Sequence, residues 1–211
     1  MYDLLSYNVQ YGKKLGKINK WIKQLPQQPN MICYQEYPED QVNDTNFLKS
    51  SGYKYEFAPA VVKRDKTFGQ LTAHRPGKFT LISTKKIDLG VSNFEKKVFR
   101  HSGQRSALLS IFKVDGREIM IVNLHLLVLA MHSRRRSQIE MITKEMDMEM
   151  PALIVGDFNY SSLIVGKGLA RFLRAKGFLP AGGRFATHRI FGVRHQVDYI
   201  FQRNCPILEV K

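Results

Sequence analysis

Six polar side chains fall at or just beyond the ends of apolar, strand-like segments. They are Asn8 after DLLSY, Glu36 after MICYQ, His125 within IVNLHL, Asp157 and Asn159 after ALIVG, and Asp198 within HQVDYIF. Singly, each has an ordinary explanation: a turn cap, a solvated carboxylate, a hydrogen-bonded core histidine, a buried ion-pair partner. Together they ask for more, because polar groups in apolar strands cost stability unless they are satisfied. Strand ends converging on one cleft would satisfy all six. The donors are then hard oxygens plus one imidazole, a set that suits Mg²⁺ or Mn²⁺ better than Zn²⁺. Gly156 lets the backbone come close to such a cleft. Strand alternation is expected to point Asp157 and Asn159 the same way.

The elements that must position these groups can be read from the spacing of apolar residues. DLLSYNV (3–9) and ALIVG (152–156) read as strands, with 3–6 and 152–155 apolar enough to be buried on both faces. The segment 16–25 carries Ile18, Trp21, Ile22 and Leu25 at helical spacing, and Pro26 stops it. Residues 31–36 form another strand, and a short helix is expected at about 40–50. Three more strands are expected in YKYEFAP, FGQLTAH and KFTLIST. Residues 105–126 read as a hairpin turning at Asp115-Gly116. Helices are expected at 133–147, with Ile139, Ile142 and Met146 inward, and at 166–177, where Gly177 ends the helix. The pattern is an α/β protein with two packed sheets.

The ordered set LLSYNVQYG, MICYQE, IVNLHL, LIVGDFN and HQVDYIF resembles the endonuclease/exonuclease/phosphatase superfamily of metal-dependent phosphoesterases, the group that includes DNase I-like and exonuclease III-like enzymes. The resemblance runs from residue 3 to about residue 202, with weaker echoes in RSALL and in Arg135 and Gln138. It implies a four-layer α/β sandwich of two mixed sheets flanked by helices, in a single domain over 1–211. It also implies roles. Glu36 is the main metal ligand with Asn8 beside it, and Mg²⁺ (or Mn²⁺) is the cofactor. Asp157 orients or deprotonates the attacking water, Asn159 holds a phosphate oxygen, and His125 donates to the phosphate. Asp198 orients a second histidine. In the family that histidine sits in a Ser-Asp-His after the last matched strand. Here thirteen residues follow Asp198, and none is histidine. The expectation is a truncated C-terminus lacking the last strand. The alternatives are an inactive binding protein, or substitution by His188 or His195.

The 33 Lys and Arg residues against 18 Asp and Glu give a net charge of +15, which favours polyanionic partners. Nucleic acid is the expected substrate, cut by an endonuclease or phosphodiesterase activity. The alternatives are a phosphoinositide phosphatase or sphingomyelinase-like hydrolase binding anionic phospholipid headgroups, or a catalytically impaired nucleic-acid-binding module. Candidate phosphate contacts are Lys13, Lys17, Arg105, Arg184, His188 and Arg194. The run Arg134–Arg136 reads as a solvated helix face. Cys33 and Cys205 offer neither a disulfide framework nor a zinc spacing, and Cys33 is expected to be buried. No signal peptide or membrane-spanning segment is visible, and a cytoplasmic location is expected.

Overall fold

The computed structural model describes residues 2–42, 46–128, 130–160, 166–181, 187–190 and 193–205. In chain order the elements are β1 (Leu4–Asn8), α1 (Leu15–Lys23), β2 (Met31–Pro38), α2 (Asn46–Ser50), β3 (Lys54–Lys63), β4 (Lys66–His74), β5 (Thr80–Gly90), α3 (Asn93–Phe99), β6 (Ser102–Gly103), β7 (Arg105–Val114), β8 (Arg117–His125), α4 (His132–Lys144), β9 (Ala152–Asp157), α5 (Gly166–Arg174), β10 (Leu179–Pro180), β11 (His188–Ile190), β12 (Val193–His195) and β13 (Asp198–Arg203).

Two mixed sheets result. One runs β1-β2-β4-β3-β6, the other β10-β13-β9-β8-β7-β5, and β11 and β12 form a separate hairpin. Three apolar clusters define the layers. Val9, Ile18, Ile22, Ile32, Leu48 and Leu71 seal α1 and α2 onto the outer face of the first sheet. Met31 and Cys33 meet Phe112, Ile121, Leu153 and Val155 between the sheets. Ile139, Ile142, Leu169 and Leu173 seal α4 and α5 onto the outer face of the second sheet, against Val122, Ile154 and Phe201. The order is therefore helices, sheet, sheet, helices, as the sequence implied.

The β7–β8 hairpin turns at Asp115 (φ 49°) and Gly116 (φ 79°), the pair of positive φ values that a tight two-residue turn requires. Strand β9 is buried along its whole length, as expected. Strand β1 is not: it lies at the edge of its sheet and is only half-buried, because its apolar run has a neighbour on one side alone. Trp21, expected on the inward face of α1, is 46% exposed. It sits between Ile18 and Ile22, which take the core-facing positions. The helix expected at about 40–50 shrinks to α2 after a single 3₁₀ turn, Glu39–Gln41, with 43–45 outside the described residues. Helix α3 was not anticipated. Among the described residues no helix is long and apolar enough to cross a membrane.

Candidate active site

Register brings the polar residues to one end of the sandwich. β1 and β2 are parallel and pair Asn8 with Gln35, so Asn8 and Glu36 leave the first sheet side by side. β8 and β9 are parallel and pair His125 with Asp157. β13 runs antiparallel to β9 and pairs Asp198 with Asp157. Asp198 therefore stands at the beginning of its strand, not the end, and reaches the same cleft because the strand direction is reversed.

The sheets are clasped directly beneath this cleft. Gln35 Nε2 donates to Asn123 Oδ1 at 2.8 Å, and Asn123 Nδ2 donates to the carbonyls of Tyr34 and Leu71 at 3.1 Å. Both amides are fully buried. Above the clasp, Asn8 Nδ2 donates to Asp157 Oδ2 at 3.0 Å, joining residues 149 apart in sequence. His125 lies between the two carboxylates, with Nδ1 3.7 Å from Glu36 Oε1 and Nε2 3.8 Å from Asp157 Oδ2.

The backbone is bent to achieve this. Glu36 has φ 57° and sits where the β2–β4 register slips between Tyr34 and Tyr37. A non-glycine residue in this region carries a cost of order 1 kcal/mol, and such outliers concentrate at functional sites. The Tyr11 N–H donates to Glu36 Oε2 at 2.9 Å and fixes the carboxylate. Gly156 (φ 132°) is required by space: a Cβ there would stand 2.1 Å from the Leu124 carbonyl oxygen. Strand β9 ends at Asp157, so strand alternation does not aim Asn159. Asn159 instead has φ 49°, and its N–H donates to Asp157 Oδ1 at 2.9 Å. Its side-chain amide donates to Leu126 O at 3.1 Å, and among the described residues its second N–H has no acceptor.

Behind His125 lies a buried charge pair. Arg105 Nε and Nη2 donate to Glu95 Oε1 at 2.9 and 2.6 Å, and Glu95 Oε2 accepts the Val128 N–H at 3.1 Å. Arg105 Nη1 rests against the imidazole, 3.1 Å from Nδ1 and 3.4 Å from Nε2. Burial, then the Arg105 charge, holds His125 well below the ordinary imidazole range, so the ring is neutral. Burial lifts Glu36 to about 6; Arg105 pulls it back and Asp157 pushes it up. Burial and the Asp157 charge raise Asp198 as well, against a hydrogen bond from Thr187.

Asn8, Glu36, His125, Asp157, Asn159 and Asp198 thus come together at one end of the two sheets. The expected phosphate contacts fare differently. Arg105 is 1% exposed and engaged by Glu95, so it underlies His125 instead of facing solvent. A guanidinium can be buried there because a carboxylate matches its fork. Lys13 and Lys17 are exposed beside the start of α1, and it is Lys14 whose charge acts on Asp198. Arg184 lies outside the described residues. His188 and Arg194 are placed only as backbone of the β11–β12 hairpin. Thr187 Oγ1 accepts the N–H groups of Val197 and Asp198 at 3.0 and 3.1 Å, pinning that hairpin beside the cleft. Of the Arg134–Arg136 run, Arg135 is buried, and its Nε donates to Leu127 O at 2.7 Å.

Glu95, Gln35 and Asn123 were not singled out by the sequence. Glu95 had a local signal: Ser92-Asn-Phe-Glu95 is a helix-capping pattern, and Ser92 Oγ accepts the Glu95 N–H at 3.0 Å. Nothing local marks Gln35 or Asn123, whose role exists only once the sheets are stacked.

No family model and no curated protein matches this chain. Solved structures do. An endonuclease/exonuclease/phosphatase family protein from Leptotrichia buccalis superposes with a TM-score of 0.76 at 12% identity, over 97% of this chain and 88% of that one. The human Nocturnin catalytic domain with bound sulfate gives 0.71 at 20% identity, over 96% and 82%. ANGEL2, a 2',3'-cyclic phosphatase, gives 0.69 at 18% identity, over 96% and 83%. Convergent strand ends on two stacked sheets, and these superpositions, agree: the chain has the fold of the endonuclease/exonuclease/phosphatase proteins.

Proposed function

We propose that this chain is a phosphoesterase that hydrolyses phosphodiester bonds of nucleic acid with a divalent cation, Mg²⁺ or Mn²⁺. The observation that carries the reading is the meeting of Asn8, Glu36, His125 and Asp157 across two sheets, at 3.0 to 3.8 Å.

The donor chemistry fits such a cation. Glu36 and Asp157 flank one neutral imidazole, and the nearest buried cation, Arg105, is already engaged by Glu95. Glu36, buried beside the Asp157 charge, has its carboxyl raised, and a bound cation would offset that. Among the described residues no three His, Cys, Asp or Glu side chains form a preformed metal cluster. Mg²⁺ does not need one, since it keeps waters and takes one or two carboxylates plus substrate phosphate. Glu36, with Asn8 beside it, would hold the ion, whose charge would polarise the phosphoryl group.

The chain's own groups supply the rest. Asp157 takes a proton from the attacking water; Asn8 and the Asn159 N–H hold its two oxygens in place. A new P–O bond forms as the opposite ester P–O bond breaks. Neutral His125 donates a ring N–H to the phosphoryl oxygens, and the spare N–H of Asn159 adds a second donor. Asp198 Oδ1 has no hydrogen-bond partner among the described residues and is available to orient a proton donor for the leaving oxygen. Support for nucleic acid comes from the +15 charge and from a solved neighbour, ANGEL2, seen with adenosine-2',3'-vanadate.

The test is turnover of plasmid DNA, RNA, a phosphoinositide and sphingomyelin, each with Mg²⁺ and with chelator. Nucleic acid should be cleaved with Mg²⁺ and spared by chelator. Hydrolysis of none of the four would overturn the reading.

A further inference from the structure

Helix α3 has two working faces. Its inner face carries Glu95, fully buried and bound to Arg105. Its outer face carries Phe94, 64% exposed, and Val98, 49% exposed, four residues apart and hence on one side of the helix. Met131, 72% exposed, stands beyond the loop that leaves His125. Phe94, Met131 and Arg134 share the wall of a recess of about 460 Å³, together with Ser92 and Asn93.

This recess adjoins the phosphoester centre. One guanidinium, Arg105, links Glu95 to His125, and Glu95 also anchors the Val128 N–H between His125 and Met131. β5 pairs Gly90 with Arg105, so α3 starts at the same end of the sheet as the catalytic groups. Arg134 lines the recess, and Lys97 and Arg100, on α3 and just after it, are exposed as well. An apolar, aromatic surface with a guanidinium in its wall and cations on the adjoining helix, at the same end of the sheet as a phosphate-handling site, matches a flat ring attached to a polyanionic backbone. Aromatic faces, thioethers and guanidinium planes all stack on bases without regard to sequence. Ser92, Asn93 and Arg134 supply polar groups for the base edge. A membrane anchor would present its apolar side chains on a convex tip, whereas these flank a hollow.

We infer that the Phe94–Met131–Arg134 recess is a subsite for one base of single-stranded nucleic acid whose phosphate faces the His125 and Asn159 donors. The inference rests on the phosphoesterase reading for its substrate. It fails separately, because binding is measured in chelator, where nothing is cleaved.

The experiment is fluorescence anisotropy of a labelled oligothymidylate and of an abasic oligonucleotide of the same length, with phosphatidylcholine–phosphatidylserine vesicles in a parallel sedimentation. The wild type should bind the oligothymidylate about tenfold more tightly than the abasic strand, the usual order for one stacked base. Phe94→Ala should lose that preference while binding the abasic strand unchanged, and Phe94→Trp should keep it. Phe94 is exposed, so neither variant threatens the core. Equal wild-type affinity for the two strands, or an unchanged preference in Phe94→Ala, would overturn the inference. So would vesicle binding that Phe94→Ala abolishes while oligonucleotide binding stays intact; the recess would then be a lipid contact.

Discussion

Gln35 and Asn123 join their side-chain amides across the space between the two sheets, Nε2 to Oδ1 at 2.8 Å. Glu36 follows the first of these residues and His125 lies two beyond the second. The clasp therefore sets the position of the Glu36 carboxylate relative to the His125 imidazole. Asn123→Leu should remove donors from the buried Tyr34 and Leu71 carbonyls and leave Gln35 without this acceptor. The expected cost is about 2–3 kcal/mol. Activity should fall as well, although Asn123 touches no substrate. Urea unfolding with the turnover number of the surviving folded protein measures both.

Arg105 and Glu95 form a pair whose members are 1% and 0% exposed. Arg105→Met leaves the Glu95 carboxylate buried without its cation, which costs about 3–5 kcal/mol. For a domain of this size, that is a fall of roughly 10 °C in melting temperature. The double variant Arg105→Met/Glu95→Met should recover most of this stability without recovering activity, since His125 then lacks its support. A double variant no more stable than the single would refute the pairing argument.

The fold and the site were legible to different depths. β9, the β7–β8 hairpin and α4 were readable because apolar period, turn chemistry and length agreed at each. The convergence of the six polar residues was readable because polar groups at the ends of apolar strands demand an explanation. What was hidden depends on who lies opposite. The LLS of β1 looks the same at a sheet edge as at a centre. Arg105 looks like a surface cation until Glu95, on an unanticipated helix, is found against it. Asn123 looks like an interruption of an apolar run until the second sheet lands on it.

Glu36, its side chain 11% exposed, has its carboxyl raised from 4.5 to about 6. The native state therefore holds this proton more tightly than the unfolded state. Stability without metal falls as pH rises from about 4.5 to about 6, by about 2 kcal/mol, and the loss persists above that window. Thermal melts in chelator at about pH 5 and about pH 7.5 should show it. Glu36→Gln should reduce the slope, leaving the part contributed by the raised Asp198, and be the more stable protein at the higher pH. With Mg²⁺ present the wild type should regain stability at neutral pH, and its apparent metal affinity should drop as pH falls through about 6.

Gly156 cannot accept a side chain. Its φ is 132°, and a methyl group added there would meet the Leu124 carbonyl oxygen at 2.1 Å, so Gly156→Ala must part β8 from β9. A loss of at least about 3 kcal/mol is expected, along with displacement of Asp157. Chemical denaturation measures it; a variant as stable as wild type would show that the two strands can separate freely.

In the proposed reaction Glu36 holds the metal while Asp157 activates water, both in one cleft. Mn²⁺ binding by calorimetry, measured beside nucleic-acid turnover, tests this on Glu36→Gln and Asp157→Asn. Glu36→Gln should lose Mn²⁺ binding and activity together. Asp157→Asn should keep Mn²⁺ binding while turnover drops by about 10²–10³-fold. Two variants that bind Mn²⁺ and turn over substrate like the wild type would contradict the account.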